Sequence, residues 1–231
     1  WRLQNDGLWT LDGAEGLPTR KSNTDPPVTA LRERDPVGRF PEEVAVTLRT
    51  HPALMAELVT DLLDAHFPDS LHADLVAAVG LDLATLRERA QGEPTPRRER
   101  RRRDPAFREA VLRAYSYRCA VCGFDARVGH PLVGLDAAHV KWHQAGGPDV
   151  VENGLALCVL HHRLLDRGAW TLSAEGTVWV AEEAHGGEAF ERWVLAYHDR
   201  SVATPAAAHQ RVAESHLVWH HAEVFRRPAR P

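Results

Sequence analysis

The sequence predicts an α+β chain in two parts: a helical N-terminal part, and a C-terminal part of short strands and helices stapled by cysteine and histidine. Three observations carry this. Apolar residues recur at helical spacing between positions 41 and 79. Beyond position 104 they fall in short runs broken by turn residues such as Asn153-Gly154 and Ala174-Glu175-Gly176. All three cysteines and one histidine form two short knuckles, Cys119-Ala-Val-Cys122 and Cys158-Val-Leu-His161. Between the two parts, Gln91-Gly92-Glu93-Pro94-Thr95-Pro96 breaks any helix and reads as a linker. The expected organisation is therefore 1–90, a linker over 91–104, and 105–231.

In chain order, Asn5-Asp6-Gly7 tolerates positive φ and suggests a hairpin of Arg2 to Gln4 with Leu8 to Leu11. Leu17 to Arg39, rich in Pro, Asp, Arg and Gly, reads as a long loop carrying Arg20, Lys21, Arg32, Arg34 and Arg39. Pro41 suits a first helical turn, with Val44 and Leu48 on one face. A second helix runs from Pro52 to His66 through Leu54, Leu58, Leu62 and Ala65, and a third from Ser70 to Val79, stopped by Gly80. Val133 to Val140 is a strand, followed by a loop with Gly146-Gly147-Pro148 and an apolar helix start at Leu155, Leu157 and Leu160. A hairpin of Ala169 to Leu172 with Thr177 to Val180 comes next. Helices over 187–198 and 213–225 end the chain. Their apolar residues Phe190, Val194, Tyr197, Val218, Trp219, Val224 and Phe225 pack on the C-terminal core or on a second copy.

Composition narrows the class. The chain has 231 residues, 44% apolar and 26% charged, as in globular proteins. No run approaches the roughly 18 apolar residues of a membrane span, and no signal-peptide pattern opens it, so membrane and secretory readings are set aside and a cytoplasmic location is expected. The chain opens on Trp1 instead of Met, which leaves room for a preceding segment. A net charge of −4 argues against a general nucleic-acid binder if spread evenly. It is not: residues 1–90 carry −6, 91–118 carry +5, 119–184 carry −4 and 185–231 carry +1. The centre of the basic stretch is Arg97, Arg98, Arg100, Arg101, Arg102 and Arg103. Such a run is either a solvated hinge or a phosphate-contacting strap, since guanidinium groups pair bidentately with phosphate.

An odd cysteine count without a secretion signal argues against a disulfide framework. The knuckles supply three thiolates and one imidazole at the spacing of a closed tetrahedral Zn²⁺ site, with Cys119, Cys122, Cys158 and His161 as ligands. The alternative is three buried cysteines beside a chance histidine. A structural zinc would contribute on the order of 10 kcal/mol to folding.

Between and beside these ligands, His139, Asn153 and His162 follow in order. Residues 105–184 thereby resemble the HNH nucleases, and the resemblance implies a ββα-metal fold that hydrolyses phosphodiester bonds. Phosphodiester hydrolysis needs an activated water and a cation on the scissile phosphate. An imidazole titrating near neutrality suits the first task, so His139 is the expected general base. By resemblance His162 binds a catalytic divalent metal, Mg²⁺ or Mn²⁺, and Asn153 orders the loop and holds His139. The commonest pattern of the family has an acidic metal ligand directly before the first histidine, where this chain has Ala138; Asp136, on the same strand face as position 138, is the expected substitute. Lys141 is expected to contact a phosphate. Trp142 and His143 fit core and surface positions as well as a DNA groove, and Asp166 fits either a partner of His162 or a helix charge. His185, His209, His216, His220 and His221 lack ligand spacing and read as surface residues.

His66-Phe67-Pro68-Asp69-Ser70-Leu71-His72, followed by Leu75-Val76-Ala77-Ala78-Val79-Gly80-Leu81, resembles the sulfur-binding domain of McrA-like, phosphorothioate-dependent restriction endonucleases. The resemblance implies an apolar cavity for the DNA sulfur lined by Phe67, Pro68 and Leu71, with Phe where a Tyr can occur. A sulfur is a poorer hydrogen-bond acceptor than oxygen, so a dry cavity penalises the ordinary phosphate more. Arg20 and Lys21 are candidates for backbone or base-edge contacts. Without the resemblance, Phe67-Pro68 reads as a helix end packed in a core. Together these features imply a type IV-like restriction endonuclease. It would read phosphorothioate-modified double-stranded DNA and cut both strands, as a homodimer, by a single-metal HNH mechanism. The alternatives are an HNH nuclease reading methylcytosine and a non-catalytic zinc-bearing DNA-binding protein.

Overall fold

A computed structural model describes residues 10–13, 33, 37–89 and 105–231. They fall into two compact units, one drawn from Trp1–Val59 and Asp82–Pro96, the other from Thr60–Leu81 and Arg97–Pro231. Most of the expected first hairpin lies outside the described residues. Strand β1 (Thr10–Asp12) pairs antiparallel with β2 (Val37–Arg39), with Thr10 opposite Arg39. Leu11 thus finds its partner at the far end of the predicted long loop, where Arg39 Nε meets Asp12 at 2.5 Å.

Helix α1 (Glu42–Thr50) follows Pro41, with Glu42 and Glu43 in its first turn and Arg49 in its last, the charge order that suits the helix dipole. Leu48 is its buried residue. In α2 (Pro52–His66) the buried row is Ala53, Ala56 and Leu63, whereas Leu54, Leu58 and Leu62, at the spacing expected to face a core, are exposed. Two apolar rows lie side by side on this helix, and spacing alone does not choose between them. Helix α3 (Asp69–Ala78) begins after Pro68, and Gly80 at φ +68° ends it. A short α4 (Leu83–Arg89) was not foreseen; Asp82 caps it by accepting from the Ala84 and Thr85 amides.

In the second unit, α5 (Pro105–Ala114) buries Phe107, Val111 and Leu112 against the antiparallel pair β3 (Leu135–His139) and β4 (Gly154–Cys158). Gly154 is required there, because a Cβ would come within 2.4 Å of Val111 Cγ2. The expected helix start at Leu155 is instead strand. Leu155, Ala156 and Leu157 are all buried, covered on both faces, so the run shows no alternation that would mark a strand. The helix α6 (Val159–Asp166) starts one residue after Cys158. Next comes the hairpin of β5 (Trp170–Leu172) and β6 (Val178–Val180), then α7 (Glu188–Trp193) and α8 (Glu214–Glu223). Val194 and Leu217 join the core formed by Leu112, Leu155, Leu157, Leu165 and Trp170, so the C-terminal segment packs on this unit. Each such fully buried leucine stabilises the unit by roughly 1.5–3 kcal/mol.

His220 is a correction to its expected surface position. It is fully buried; Nε2 donates to the Leu165 carbonyl at 3.1 Å and Nδ1 accepts from Thr171 Oγ1 at 2.9 Å. Burial pulls its pKa down to about 4. An unfolded histidine titrates near 6.5, so the unfolded chain binds the extra proton first, and stability is lost as pH falls from about 6.5 towards 4. Urea unfolding at pH 7.5 and pH 5 should show the wild type losing about 2 kcal/mol more than His220→Leu. Equal losses would remove His220 from the pH response.

Candidate active site

The Cys119–Cys122 knuckle is a tight turn: the Gly123 amide donates to the Cys119 carbonyl at 2.8 Å, and Gly123 takes φ +74°. In the second knuckle Cys158 sits at the N-cap of α6 and His161 one turn inside, so a strand-to-helix switch turns both side chains the same way. Ligand atoms of all four residues lie within 4.8 Å of one another. Cys122 Sγ is 3.9 Å from Cys158 Sγ, and His161 Nδ1 is 3.1 Å from Cys158 Sγ and 3.7 Å from Cys119 Sγ. Two sulfurs on a tetrahedral zinc stand about 3.8 Å apart, and sulfur and nitrogen about 3.5 Å, so the quartet could hold a zinc ion. His161 Nε2 donates to the Trp193 carbonyl at 2.9 Å, which leaves Nδ1 as the ligating nitrogen. Burial lowers the His161 pKa, but hydrogen bonds and charge from Cys119 and Cys158 outweigh it and raise it to about 9.

His139 ends β3, and its imidazole is stacked on Phe107 of α5 at 4.2 Å and 19°. Its Nε2 lies 2.7 Å from Asp149 Oδ1. His143 stands nearby, with Nε2 3.9 Å from Asp149 Oδ2 and its ring 5.7 Å from that of His139. Asn153, fully buried, spends both amide N–H groups on the carbonyls of Lys141 and Pro148, each at 3.0 Å, and accepts from the Lys141 amide at 2.8 Å. It clamps the two ends of the 141–148 loop, where the expectation had it holding His139. The clamp is tight: a Cβ on Gly147 would lie 1.9 Å from the Lys141 carbonyl oxygen and 2.8 Å from Asn153 Nδ2. Gly147→Ala should therefore cost about 3 kcal/mol in urea unfolding. A cost below about 0.5 kcal/mol would mean that the loop relaxes without breaking the clamp.

His162, on α6, has Nε2 3.5 Å from Asp166 Oδ2. Asp166 is only 3% exposed and accepts from Ser70 Oγ, so of the two expected roles the structure shows the partner of His162. Arg167 donates to the Ser70 carbonyl at 3.0 Å and pairs with Asp74, which fastens α3 to α6. Asp136 lies on the strand face of position 138, opposite that of His139, as alternation requires. There Arg108 Nε of α5 donates to its Oδ1 at 3.0 Å and the Ala137 amide donates to the same oxygen at 2.9 Å. Among the described residues, no three of Asp136, His139, Asp149 and His162 bring ligand atoms within 4.8 Å of one another.

The expected DNA contacts divide. Arg20, Lys21, Arg97, Arg98, Arg100, Arg101, Arg102 and Arg103 lie outside the described residues. Pro68 is buried and Leu71 half-buried; Phe67, also half-buried, tilts against Trp142 at 6.4 Å. Trp142 in turn meets Trp219 edge-on at 5.6 Å. Lys141 is half-buried, its backbone held by Asn153. Sequence reasoning missed Asp149 and Phe107, because no fixed spacing relates a loop carboxylate or a distant helix to the end of a strand.

A strand pair followed by a helix, with a Cys₃His quartet at its base, defines the class: residues 119–173 match the family model described as HNH endonuclease. Residues 1–84 match the model described as ScoMcrA-like, DNA sulfur-binding domain. The chain thus carries a ScoMcrA-like DNA sulfur-binding domain followed by an HNH endonuclease domain. Among solved structures it is similar to one described as "Modification dependent TagI restriction endonuclease", at 23% identity and a TM-score of 0.40. That match covers 53% of this chain and 38% of the other, so this chain spans well under half of that relative. No curated protein matches the chain. No helix among the described residues is long and apolar enough to cross a membrane.

Proposed function

We propose that this chain is a type IV-like restriction endonuclease that reads phosphorothioate-modified DNA through its N-terminal domain and hydrolyses phosphodiester bonds with its HNH domain. The observation that carries the reading is the union, in one chain, of a sulfur-binding domain with a complete His139, Asn153 and His162 set on a hairpin and helix braced by the Cys₃His quartet. In this reading His139 takes a proton from water as the water oxygen bonds to phosphorus, and the bond from phosphorus to one bridging oxygen breaks. That oxygen then collects a proton from solvent. Asn153 holds the loop beside His139 in one conformation. Lys141 contacts a phosphate. A single divalent ion, Mg²⁺ or Mn²⁺, would supply positive charge at the scissile phosphate. His162 is the residue to hold it; with Nε2 turned to Asp166, Nδ1 would be the donor. Asp136, paired with Arg108, is left out of that ligand set. The quartet holds structural zinc.

Reading of the modification falls to Phe67, Pro68 and Leu71, apolar residues gathered at the start of α3 that suit a sulfur better than a hydrated phosphate oxygen. Arg20 and Lys21 approach the DNA around it, and Arg97, Arg98, Arg100, Arg101, Arg102 and Arg103 form a strap along the backbone. In sequence the boundaries are 1–90 for the reader, 91–104 for the strap and 105–231 for the nuclease, with residues 60–81 of the reader folded into the compact unit of the nuclease. Cutting both strands needs two HNH sites, hence a homodimer. The test is cleavage of matched plasmids, one phosphorothioated, one cytosine-methylated and one bare, with Mg²⁺ or Mn²⁺. Cutting confined to the phosphorothioated plasmid is expected. Cutting confined to the methylated plasmid transfers the reading to methylcytosine, equal cutting of all three removes the reader role, and no cutting leaves a binding protein.

A further inference from the structure

We propose that Asp149 is a positioning residue for His139, holding the imidazole in the one tautomer that can accept a proton from water. The inference rests on the hydrolytic reading given above and concerns a residue that neither the HNH triplet nor the zinc knuckles include. Its support is geometric. Asn153 and the close approach of Gly147 to the Lys141 carbonyl fix the loop up to Pro148, so the next residue, Asp149, emerges at a defined point beside the end of β3. There Asp149 Oδ1 lies 2.7 Å from His139 Nε2, with the His139 side chain 9% exposed and that of Asp149 23%. Phe107, its ring stacked on that of His139 at 4.2 Å, sets the plane in which the imidazole lies. His143, at 3.9 Å from Oδ2, is beyond hydrogen-bond length, so the short bond of this carboxylate is to His139.

A carboxylate only accepts hydrogen bonds. The proton on neutral His139 is therefore on Nε2 and the lone pair is on Nδ1, the nitrogen that takes the proton of water. When the water O–H bond breaks and its proton passes to Nδ1, the resulting imidazolium faces the Asp149 carboxylate, and a neutral hydrogen bond becomes a charge-assisted one. Asn153 then acts on catalysis through Asp149, by placing the loop that carries it.

Two measurements test this on the full chain. In ¹⁵N-histidine spectra at pH 7.5, with the His139 signal assigned by its loss in His139→Gln, the wild type should show the Nε2–H tautomer and Asp149→Ala a mixture of both. Single-turnover cleavage of phosphorothioated plasmid should fall about 10²-fold in Asp149→Ala, with DNA affinity and zinc content unchanged. Asp149→Asn should be intermediate, because an amide oxygen still accepts but carries no charge, and Asp149→Glu should recover part of the loss. An unchanged tautomer in Asp149→Ala, or cleavage within threefold of wild type, overturns the proposal. If the wild type cuts no plasmid, the nuclease reading fails, and the tautomer of His139 with and without Asp149 decides the positioning role by itself.

Discussion

His139→Ala should lower single-turnover cleavage of phosphorothioated DNA by about 10³-fold or more, equivalent to about 4 kcal/mol of transition-state stabilisation. A positioned general base contributes on this scale because water at neutral pH is a poor nucleophile until a proton leaves it. The rest of the site stays intact in the variant: the Asn153 clamp involves only backbone atoms of Lys141 and Pro148, and the quartet draws on neither residue. Affinity for the modified duplex should therefore remain within a few-fold of wild type in a gel-shift titration. His139→Gln serves as a control, since it keeps most of the volume packed on Phe107 and should be equally inactive. Residual cleavage within tenfold of wild type would show that another group activates the water.

On the proposed reading, in which the quartet holds structural zinc, removing the ion should unfold the second unit. Structural zinc is worth on the order of 10 kcal/mol, comparable with the whole 5–15 kcal/mol stability of a domain. The quartet fastens the Cys119–Cys122 turn to the junction of β4 and α6, and the consequence of releasing it can be followed residue by residue. His161 accepts a hydrogen bond through its carbonyl from buried Trp170 Nε1 at 2.9 Å, and its ring donates to the Trp193 carbonyl. Loss of the ion frees His161, and with it the supports of β5 and α7. Chelation, or Cys158→Ser, should thus abolish cooperative melting, shift tryptophan emission to the red and diminish far-UV helicity. A metal-stripped protein that melts cooperatively at the same temperature would exclude a zinc staple.

How much was legible in the chain depended on the range over which each feature is specified. The knuckles are local: two ligands three residues apart on a turn or at a helix start already point together, so Cys119, Cys122, Cys158 and His161 could be grouped before any fold was known. Pro41, Pro52, Pro68 and Gly80 bound helices by their own backbone limits, and α1, α2 and α3 lie close to where these residues put them. By contrast, β4 has no alternation because α5 and α6 cover the pair, so it read as a helix start. The partner of β1 was hidden because β2 stands more than twenty residues away, and pairing is a property of two segments. His220 read as a surface residue since nothing in α8 itself says that Thr171 and the Leu165 carbonyl will meet it.

The candidate site residues were therefore chosen on the sequence alone: the Cys₃His quartet, the His139, Asn153 and His162 order, and the segment around Phe67 and Pro68. Their working relations were decided by tertiary structure. Folding gave Asp136 to Arg108, turned Asn153 into a clamp on the 141–148 loop, and brought Asp149 to His139 and Asp166 to His162. The physical reason is the range of the forces involved. Ligand spacing and helix limits follow from covalent geometry over a few residues, whereas a hydrogen bond acts over less than about 3.5 Å and exists only once packing has brought two distant segments into contact.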